Sequence, residues 1–177
     1  SQVMSQHFID DLRNAGIEFR FFEPLLRSKY FSFGRRLHHK IFVADASVSL
    51  VGGINISNRY NDMPGNKAWL DFAVYAEGDI SVQLCVLCWK TWNGFPPGMG
   101  ITPCEEKIRL VDGTLLKPAK VKMLRNDWVR RKKEIYSAYQ DMFSNAQSGI
   151  TILCSYFLPG KAVRRLLSKA ARRGVEI

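Results

Sequence analysis

Residues 35–55, RRLHHKIFVADASVSLVGGIN, hold two short apolar runs separated by a turn-like triplet. The run from Leu37 to Ala44 predicts one strand, and the run from Val48 to Val51 predicts a second that ends at a glycine pair. The triplet between them, residues 45–47, has the composition of a turn. The stretch therefore predicts a β-hairpin.

Four polar side chains lie at fixed offsets on this hairpin. His38 and Lys40 are two positions apart on one strand, so they share a face, and the returning strand brings Asn55 back towards them. Asp45 lies on the order of 20 Å along the strand from His38, because a strand rises by about 3.3 Å per residue. We expect an imidazole, an ammonium and a carboxamide to converge, and Asp45 to lie in the turn.

The composition is that of a folded, basic protein. The chain has 177 residues and is 46% hydrophobic, enough for one domain with a core or for parts of two. Its net charge of +10 is concentrated in residues 120–133 and 161–177, which favours an acidic membrane surface or a nucleic acid as partner. No apolar run is long enough to span a bilayer and no signal peptide opens the sequence, so neither feature is expected within it.

The four cysteines are too few and too scattered for a disulfide scaffold. Cys85 and Cys88 have no second ligand pair near them, so no metal site is predicted, and both are interpreted as small apolar residues on a helix. Reduced thiols are the resulting expectation, and they favour a cytoplasmic setting.

Alternating helix and strand patterns follow the hairpin and precede it. Asp71 lies inside an apolar strand pattern, where a buried carboxylate needs a partner, and a histidine on a neighbouring strand is the candidate. Helices are predicted at 4–14, 129–147 and 161–173, and a further helix starts at Gly78-Asp79 and includes Val82–Trp92. Strands are predicted at 17–22, 69–76, 120–124 and 150–155.

The end of the chain resembles its beginning. Ala15-Gly16-Ile17 follows a helix, and Arg173-Gly174-Val175 follows another helix 158 positions later. Read as an internal repeat, this match predicts that the chain holds most of one α/β unit and the opening of a second. A second hairpin like the first would then be due beyond Ile177.

The spacing His38-x-Lys40-x4-Asp45-x6-Gly52-Gly53-x-Asn55 resembles the HKD signature of the phospholipase D superfamily. Four features resemble its bacterial cardiolipin synthase branch: the glycine pair, Ala15-Gly16-Ile17, Trp69-x-Asp71 and Ser155-Tyr156-Phe157-Leu158-Pro159. The resemblance runs over nearly the whole chain.

The resemblance implies an α/β fold, a phospholipase D-like sandwich with a mixed β-sheet flanked by helices. Residues 1–107 would be most of the first repeat, and residues 108–177 a linker and the opening β-α unit of the second. Members of this superfamily join two such halves about a pseudo-twofold axis, and each half gives one HKD motif to a shared active site. This chain carries one motif, so a second HKD half or a homodimer is the implied partner.

The resemblance also implies a phosphodiester exchange that needs no cofactor and no metal. His38 would attack phosphorus to give a phosphohistidine, while Lys40 and Asn55 stabilise the phosphoryl oxygens. Asp71 would hold a histidine ring in place. Asp45 completes the catalytic motif, and the expected contacts to substrate phosphate are Arg35, Arg36 and Gly53.

Three functions remain open. The first is a cardiolipin synthase-like reaction, which joins two phosphatidylglycerols with loss of glycerol at the bacterial cytoplasmic membrane, with any membrane anchor outside this chain. The second keeps the mechanism but hydrolyses phosphodiesters of lipid or nucleic acid, and the third is an inactive fragment that needs the second motif. Anionic phospholipid and a membrane surface are the expected partners, ahead of nucleic acid.

Overall fold

The computed structural model describes residues 4–22, 37–93, 104, 119–126 and 133–177. In this part of the chain the helices are α1 (Gln6–Asn14), α2 (Asp79–Trp92), α3 (Glu134–Asn145) and α4 (Lys161–Arg172), and the strands are β1 (Ile41–Ala44), β2 (Val48–Gly52) and β3 (Ala73–Glu77). None of these helices is both long enough and apolar enough to cross a bilayer. The chain divides into two compact units, Ser1–Val121 and Lys122–Ile177. The predicted α/β class is confirmed.

The predicted hairpin is present and forms two strands of an antiparallel sheet with the order β1-β2-β3. Its turn is closed by the Ser47 N–H, which donates to the Ala44 carbonyl at 3.0 Å. Both central residues are left-handed, with φ values of 51° at Asp45 and 55° at Ala46, as the right-handed twist of a tight hairpin requires. Asp45 therefore lies in the turn, as predicted from its spacing.

A buried pair of hydroxyls anchors α2 to one face of the sheet. The Oγ atoms of Ser49 on β2 and Ser81 on α2 lie 2.8 Å apart, and each also reaches the carbonyl of Ala76 on β3, at 3.3 and 3.1 Å. Both serines are almost fully buried, where an unpartnered hydroxyl would be costly. This contact sets the position of the first turn of α2 across two strands.

The other face of the same sheet carries exposed apolar side chains. Phe42, Leu50 and Tyr75 are partners in register on the three strands, and they remain 51%, 37% and 55% exposed. Since side chains alternate along a strand, Lys40 continues this face one step beyond Phe42. The lysine of the motif thus belongs to the uncovered side of the sheet.

The second unit is held together by the packing of α3 against α4. Phe143 on α3 and Ala170 on α4 are buried there. The Arg173 guanidinium donates to the carbonyls of Phe143 and Ala146 at 3.3 and 3.1 Å, which satisfies the end of α3. Gly149 and Glu176 form a parallel bridge, so the segments before and after α4 run side by side.

The two sequence-similar helix ends have the same backbone geometry. The glycine after each helix is left-handed, with φ values of 75° at Gly16 and 87° at Gly174. In both cases the next residue donates its N–H to the carbonyl five positions earlier, at 2.9 Å from Ile17 and 3.1 Å from Val175. This is the hydrogen bond of the Schellman motif, and it favours glycine at the turn. The two helix ends therefore share one local capping geometry, which is common at helix ends, and the internal repeat stays a prediction.

Several predicted strands are absent or shorter among the described residues. The segments 17–22, 120–124 and 150–155 contain no strand. The first strand of the hairpin begins at Ile41 instead of Leu37, so His38 and Lys40 precede it, and β3 begins at Ala73 instead of residue 69. Alternating apolar residues favour an extended backbone, but a strand also needs a hydrogen-bonded neighbour, which a local pattern does not supply. The predicted boundary between residues 107 and 108 lies outside the described residues.

The cysteines differ from expectation. Cys85 on α2 forms a disulfide with Cys104, with Cα atoms 5.9 Å apart, so the prediction of reduced thiols is wrong for this pair. Cys104 is buried, and the bond ties it to the helix. Cys88 and Cys154 are free, and burial raises the pKa of the Cys88 thiol. The spacing of the four cysteines in the sequence does not indicate which of them are bonded, so only the fold distinguishes the bonded pair from the free cysteines.

Alkylation tests this pairing. In denaturant without reductant, we expect a maleimide to modify Cys88 and Cys154 alone, and after reduction to modify all four cysteines, as read by intact mass. In a Cys104→Ser variant, Cys85 should join the modified set without reduction. Modification of all four thiols in the unreduced protein would contradict the disulfide.

Candidate active site

The hairpin presents Lys40 at the open end of the sheet. The Gly52 N–H donates to the Lys40 carbonyl at 3.2 Å, which extends the pairing of β1 and β2 by one step, and Gly52 in turn pairs with Ala73. The neighbours of Lys40 in this row are therefore a glycine and an alanine, which leave space above them. The ammonium donates to the carbonyl of His38 at 2.8 Å.

The two glycines of the motif lie where the neighbouring chain leaves no room for a side chain. A Cβ on Gly52 would lie 2.6 Å from the carbonyl oxygen of Phe72, and a Cβ on Gly53 would lie 2.7 and 2.8 Å from the two carboxylate oxygens of Asp71. A side chain at position 52 would thus push away the backbone that enters β3, and one at position 53 would displace the Asp71 carboxylate. The pair lets the Asp71 carboxylate lie directly against the backbone at the end of β2.

Asp71 is half-buried beside this backbone. Its Oδ1 accepts a hydrogen bond from the N–H of Phe72 at 2.7 Å. The sequence analysis predicted that this carboxylate lies near a histidine. In the structure it lies next to Gly53, which is a residue of the motif. Its action on a histidine ring, and the contact of Gly53 with substrate phosphate, stay predictions.

Asn55 is positioned by a residue that the sequence did not indicate. Its Nδ2 donates to the hydroxyl of Tyr60 at 3.0 Å. Tyr60 is the last residue of a 3-10 helix, Asn58–Tyr60. Ser57 caps this helix, because its hydroxyl accepts a hydrogen bond from the N–H of Arg59 at 3.3 Å. A strand pattern does not predict a contact between an asparagine and a tyrosine five positions later. The contact forms because the chain turns between them, which only the structure shows.

The loop beyond Asn55 is held by its own contacts. The Arg59 guanidinium lies 5.1 Å from the centroid of the Trp69 ring, within the range of a cation–π interaction, and the Trp69 N–H donates to the Arg59 carbonyl at 2.8 Å. Between them, Met63 and Asn66 exchange both backbone hydrogen bonds, at 3.0 and 2.9 Å. The loop that follows Asn55 in the sequence therefore contains a cation packed against an aromatic ring.

Lys40 and Asn55 meet at an open cavity of about 350 Å³. It is lined by Leu37, His39, Lys40, Ile41, Phe42, Ile54, Asn55 and Ile56. Both residues thus line one cavity, and the convergence of their polar groups on a phosphate stays a prediction. His38 is exposed and does not line this cavity, so its catalytic role stays a prediction.

The remaining predicted residues are elsewhere or outside the structure. Asp45 lies in the hairpin turn, at the far end of β1 from Lys40, where it adopts a left-handed backbone conformation. Arg35 and Arg36, the predicted phosphate ligands, lie outside the described residues. Within those residues, no three His, Cys, Asp or Glu side chains are grouped closely enough to hold a metal ion.

The cavity has the chemistry of an anion site. An ammonium and a carboxamide both carry N–H groups that can donate hydrogen bonds to an anionic oxygen. A phosphodiester combines such an oxygen with carbon-rich substituents. The arrangement can therefore bind a phosphodiester by its charge and by its apolar flanks.

Comparison with known proteins identifies relatives along the whole chain. Cardiolipin synthase B of Shigella flexneri and that of Escherichia coli K12 are 30% identical to it over 182 residues, covering 100% of this chain and 43% of each relative. A probable cardiolipin synthase of Bacillus subtilis is 27% identical and is covered to 35%. The chain thus spans less than half the length of the curated relatives it matches. Neither a family model nor a solved structure matches it.

The α/β fold and the hairpin with its HKD spacing agree with the resemblance to phospholipase D-like proteins. Within this class, the chain is related over its whole length to the bacterial cardiolipin synthases, which confirms the branch that its motif and flanking residues predicted.

The close approach at Gly53 can be tested by a double-mutant cycle. Gly53→Ala should lower the free energy of unfolding by roughly 1–3 kcal/mol, because the new methyl group overpacks the Asp71 carboxylate. In an Asp71→Ala background the same change should cost less, because the obstructing oxygens are absent. Urea denaturation followed by circular dichroism measures both.

Gly149→Ala is the matched control, since a Cβ there meets only the Glu176 carbonyl oxygen at 3.9 Å. It should have little effect on stability. An equal cost of Gly53→Ala with and without Asp71 would show that the carboxylate is not what excludes a side chain.

Proposed function

We propose that this chain supplies one half of the active site of a bacterial cardiolipin synthase-type transphosphatidylase, which joins two phosphatidylglycerols into cardiolipin and releases glycerol. The observation that carries the proposal is the meeting of Lys40 and Asn55 at one cavity, on the hairpin that bears the HKD spacing. The names of the relatives support the substrate class.

The proposed reaction has two displacements at phosphorus. His38 attacks the phosphodiester, so a P–N bond forms while the P–O bond to glycerol breaks, and the histidine of the second motif protonates the departing alkoxide. The same second histidine then removes the proton from the hydroxyl of another phosphatidylglycerol. A new P–O bond forms, the P–N bond breaks, and His38 is restored. The exposed side chain of His38 next to Lys40 is consistent with this role.

The other residues act on charge and orientation. Lys40 balances the negative charge that builds on the phosphoryl oxygens, and the Asn55 amide donates to one of them. Tyr60 accepts one N–H of that amide, so it limits the amide's rotation and leaves the second N–H for substrate. Asp71, seated on Gly53, is assigned to the orientation of a histidine ring.

The second motif is assigned to a separate half of the site. It comes from the second repeat of a longer chain or from another copy of this one in a homodimer, and without it this chain alone is expected to be inactive. The substrate class, an anionic phospholipid, places the reaction at the bacterial cytoplasmic membrane.

The test uses the full-length protein that contains this segment, assayed on phosphatidylglycerol vesicles and on single-stranded DNA. We expect cardiolipin and glycerol as products, and an acid-labile phosphohistidine that disappears in His38→Ala together with at least about a thousandfold of the rate, as for loss of a covalent nucleophile. His7→Ala is the matched control, because His7 is an exposed residue of α1 that pairs with Asp11 at 2.9 Å.

Two results would overturn the proposal. Hydrolysis of DNA without synthesis of cardiolipin would assign the site to a nuclease. Unchanged cardiolipin synthesis in His38→Ala would remove the phosphohistidine and the motif from the mechanism.

The hydrogen bond between Tyr60 and Asn55 gives a smaller, separate effect. Tyr60→Phe should lower kcat about fivefold, in line with a net value of about 1 kcal/mol for one neutral hydrogen bond, while KM for the lipid changes little. Tyr139→Phe, on α3, makes the same chemical change at a tyrosine that is not the Asn55 partner and should leave the rate unchanged. A Tyr60→Phe enzyme with wild-type kcat would show that the tyrosine does not position the amide.

A further inference from the structure

Helix α4 has one packed side and one strongly basic side. Its apolar residues Val163, Leu166, Leu167 and Ala170 are half-buried or buried, and the helix packs against α3. Its charged residues are all cations and all exposed: Lys161, Arg164, Arg165, Lys169 and Arg172. No acidic residue occurs in the helix.

Among the described residues, these cations take no part in the salt bridges. In the part of the chain that the structure describes, the ion pairs with measured contacts are the two on α1, His7 with Asp11 and Arg13 with Asp10. None of the five α4 cations takes part in one. A row of uncompensated positive charge repels itself. It is stabilised when a surface of opposite charge comes close.

The segment that leads into α4 exposes large apolar side chains. Tyr156 and Leu158 are 89% and 92% exposed, and Leu153 is 68% exposed. Pro159 and Gly160 then connect this segment directly to the first cation of the helix, Lys161. Exposed apolar residues and unpaired cations are thus neighbours along one stretch of chain, residues 153–172.

We infer that this stretch, here called the α4 surface, docks the second unit onto an anionic lipid bilayer. The five cations face the lipid head groups, while Tyr156 and Leu158 enter the boundary between head groups and acyl chains. The inference adds a membrane-docking surface to the proposed function, on whose lipid substrate it rests.

A lipid surface fits these side chains better than a nucleic acid does. Both would attract the cations, and a base could stack on Tyr156. An exposed leucine, however, gains free energy only where it leaves water for an apolar phase, and a polyphosphate backbone offers none. Leu158 therefore distinguishes the two partners.

The test is co-sedimentation of this 177-residue chain with vesicles of phosphatidylcholine, alone or with phosphatidylserine as the anionic lipid. We expect binding to the anionic vesicles only, weakened by salt. Arg164→Gln/Arg165→Gln/Lys169→Gln should reduce the partition coefficient on the order of 100-fold, because each cation near such a surface contributes roughly a factor of five. Lys67→Gln/Lys90→Gln/Lys120→Gln removes the same charge from other exposed positions and should cost much less.

Insertion is measured separately from attraction. An environment-sensitive fluorophore on the exposed Cys154, in a Cys88→Ser background, should shift its emission to shorter wavelength on anionic vesicles. Leu158→Ser should reduce the shift and lower the partition coefficient about tenfold, as expected for a leucine partly removed from water. Circular dichroism of each variant checks that the helices remain.

Three results would overturn the docking surface: equal losses in the two triple variants, no effect of Leu158→Ser, or tight binding to single-stranded DNA with none to vesicles. Phosphatidylserine is not the proposed substrate, so vesicle binding is measured apart from the reaction, and His7→Ala should bind vesicles as the unmodified chain does. Vesicle binding without cardiolipin synthesis by the full-length protein would therefore contradict the proposed function alone.

Discussion

The close approach of two chain segments at Gly52 and Gly53 underlies the rest of this structure. Because neither glycine has a side chain, the backbone that enters β3 passes within contact distance of the end of β2, and the Asp71 carboxylate rests on Gly53. The pairing of β2 with β3 follows from this approach. That pairing completes the sheet on which the buried Ser49–Ser81 contact seats α2. A spatial requirement at two positions thus supports both the fold of the first unit and the open end where Lys40 lies.

The residues of the HKD spacing consequently have different tasks. The glycines provide space, and Asp45 forms a left-handed turn at the end of the hairpin away from the cavity. Lys40 and Asn55 provide the donors, on opposite sides of the hairpin's open end, and meet at the cavity. A motif that appears in sequence as one signature is therefore, in space, a turn, a close contact and a pair of ligands. Only the last of these lines the cavity.

Prediction from sequence succeeded where the information was local. The hairpin, its turn and the glycine-terminated helices follow from residue types within a few positions of one another, and each was observed. It failed where a partner distant in sequence decides the outcome. The segment 150–155 has strand composition but gains a single parallel bridge, at Gly149, and Cys85 bonds with Cys104 while Cys88 stays free. No local pattern contains these choices.

The same division holds for the site. The order of residues alone was sufficient to identify the hairpin, the HKD spacing and the basic helices, because strand alternation, turn chemistry and helical period are short-range properties. The tertiary structure decided that Tyr60 holds Asn55, that Asp71 lies on Gly53, and that the exposed cations of α4 have no salt bridge to another described residue. These relations depend on how far the chain turns between two residues, and that angle is set by packing of the whole unit, which no short stretch of sequence specifies.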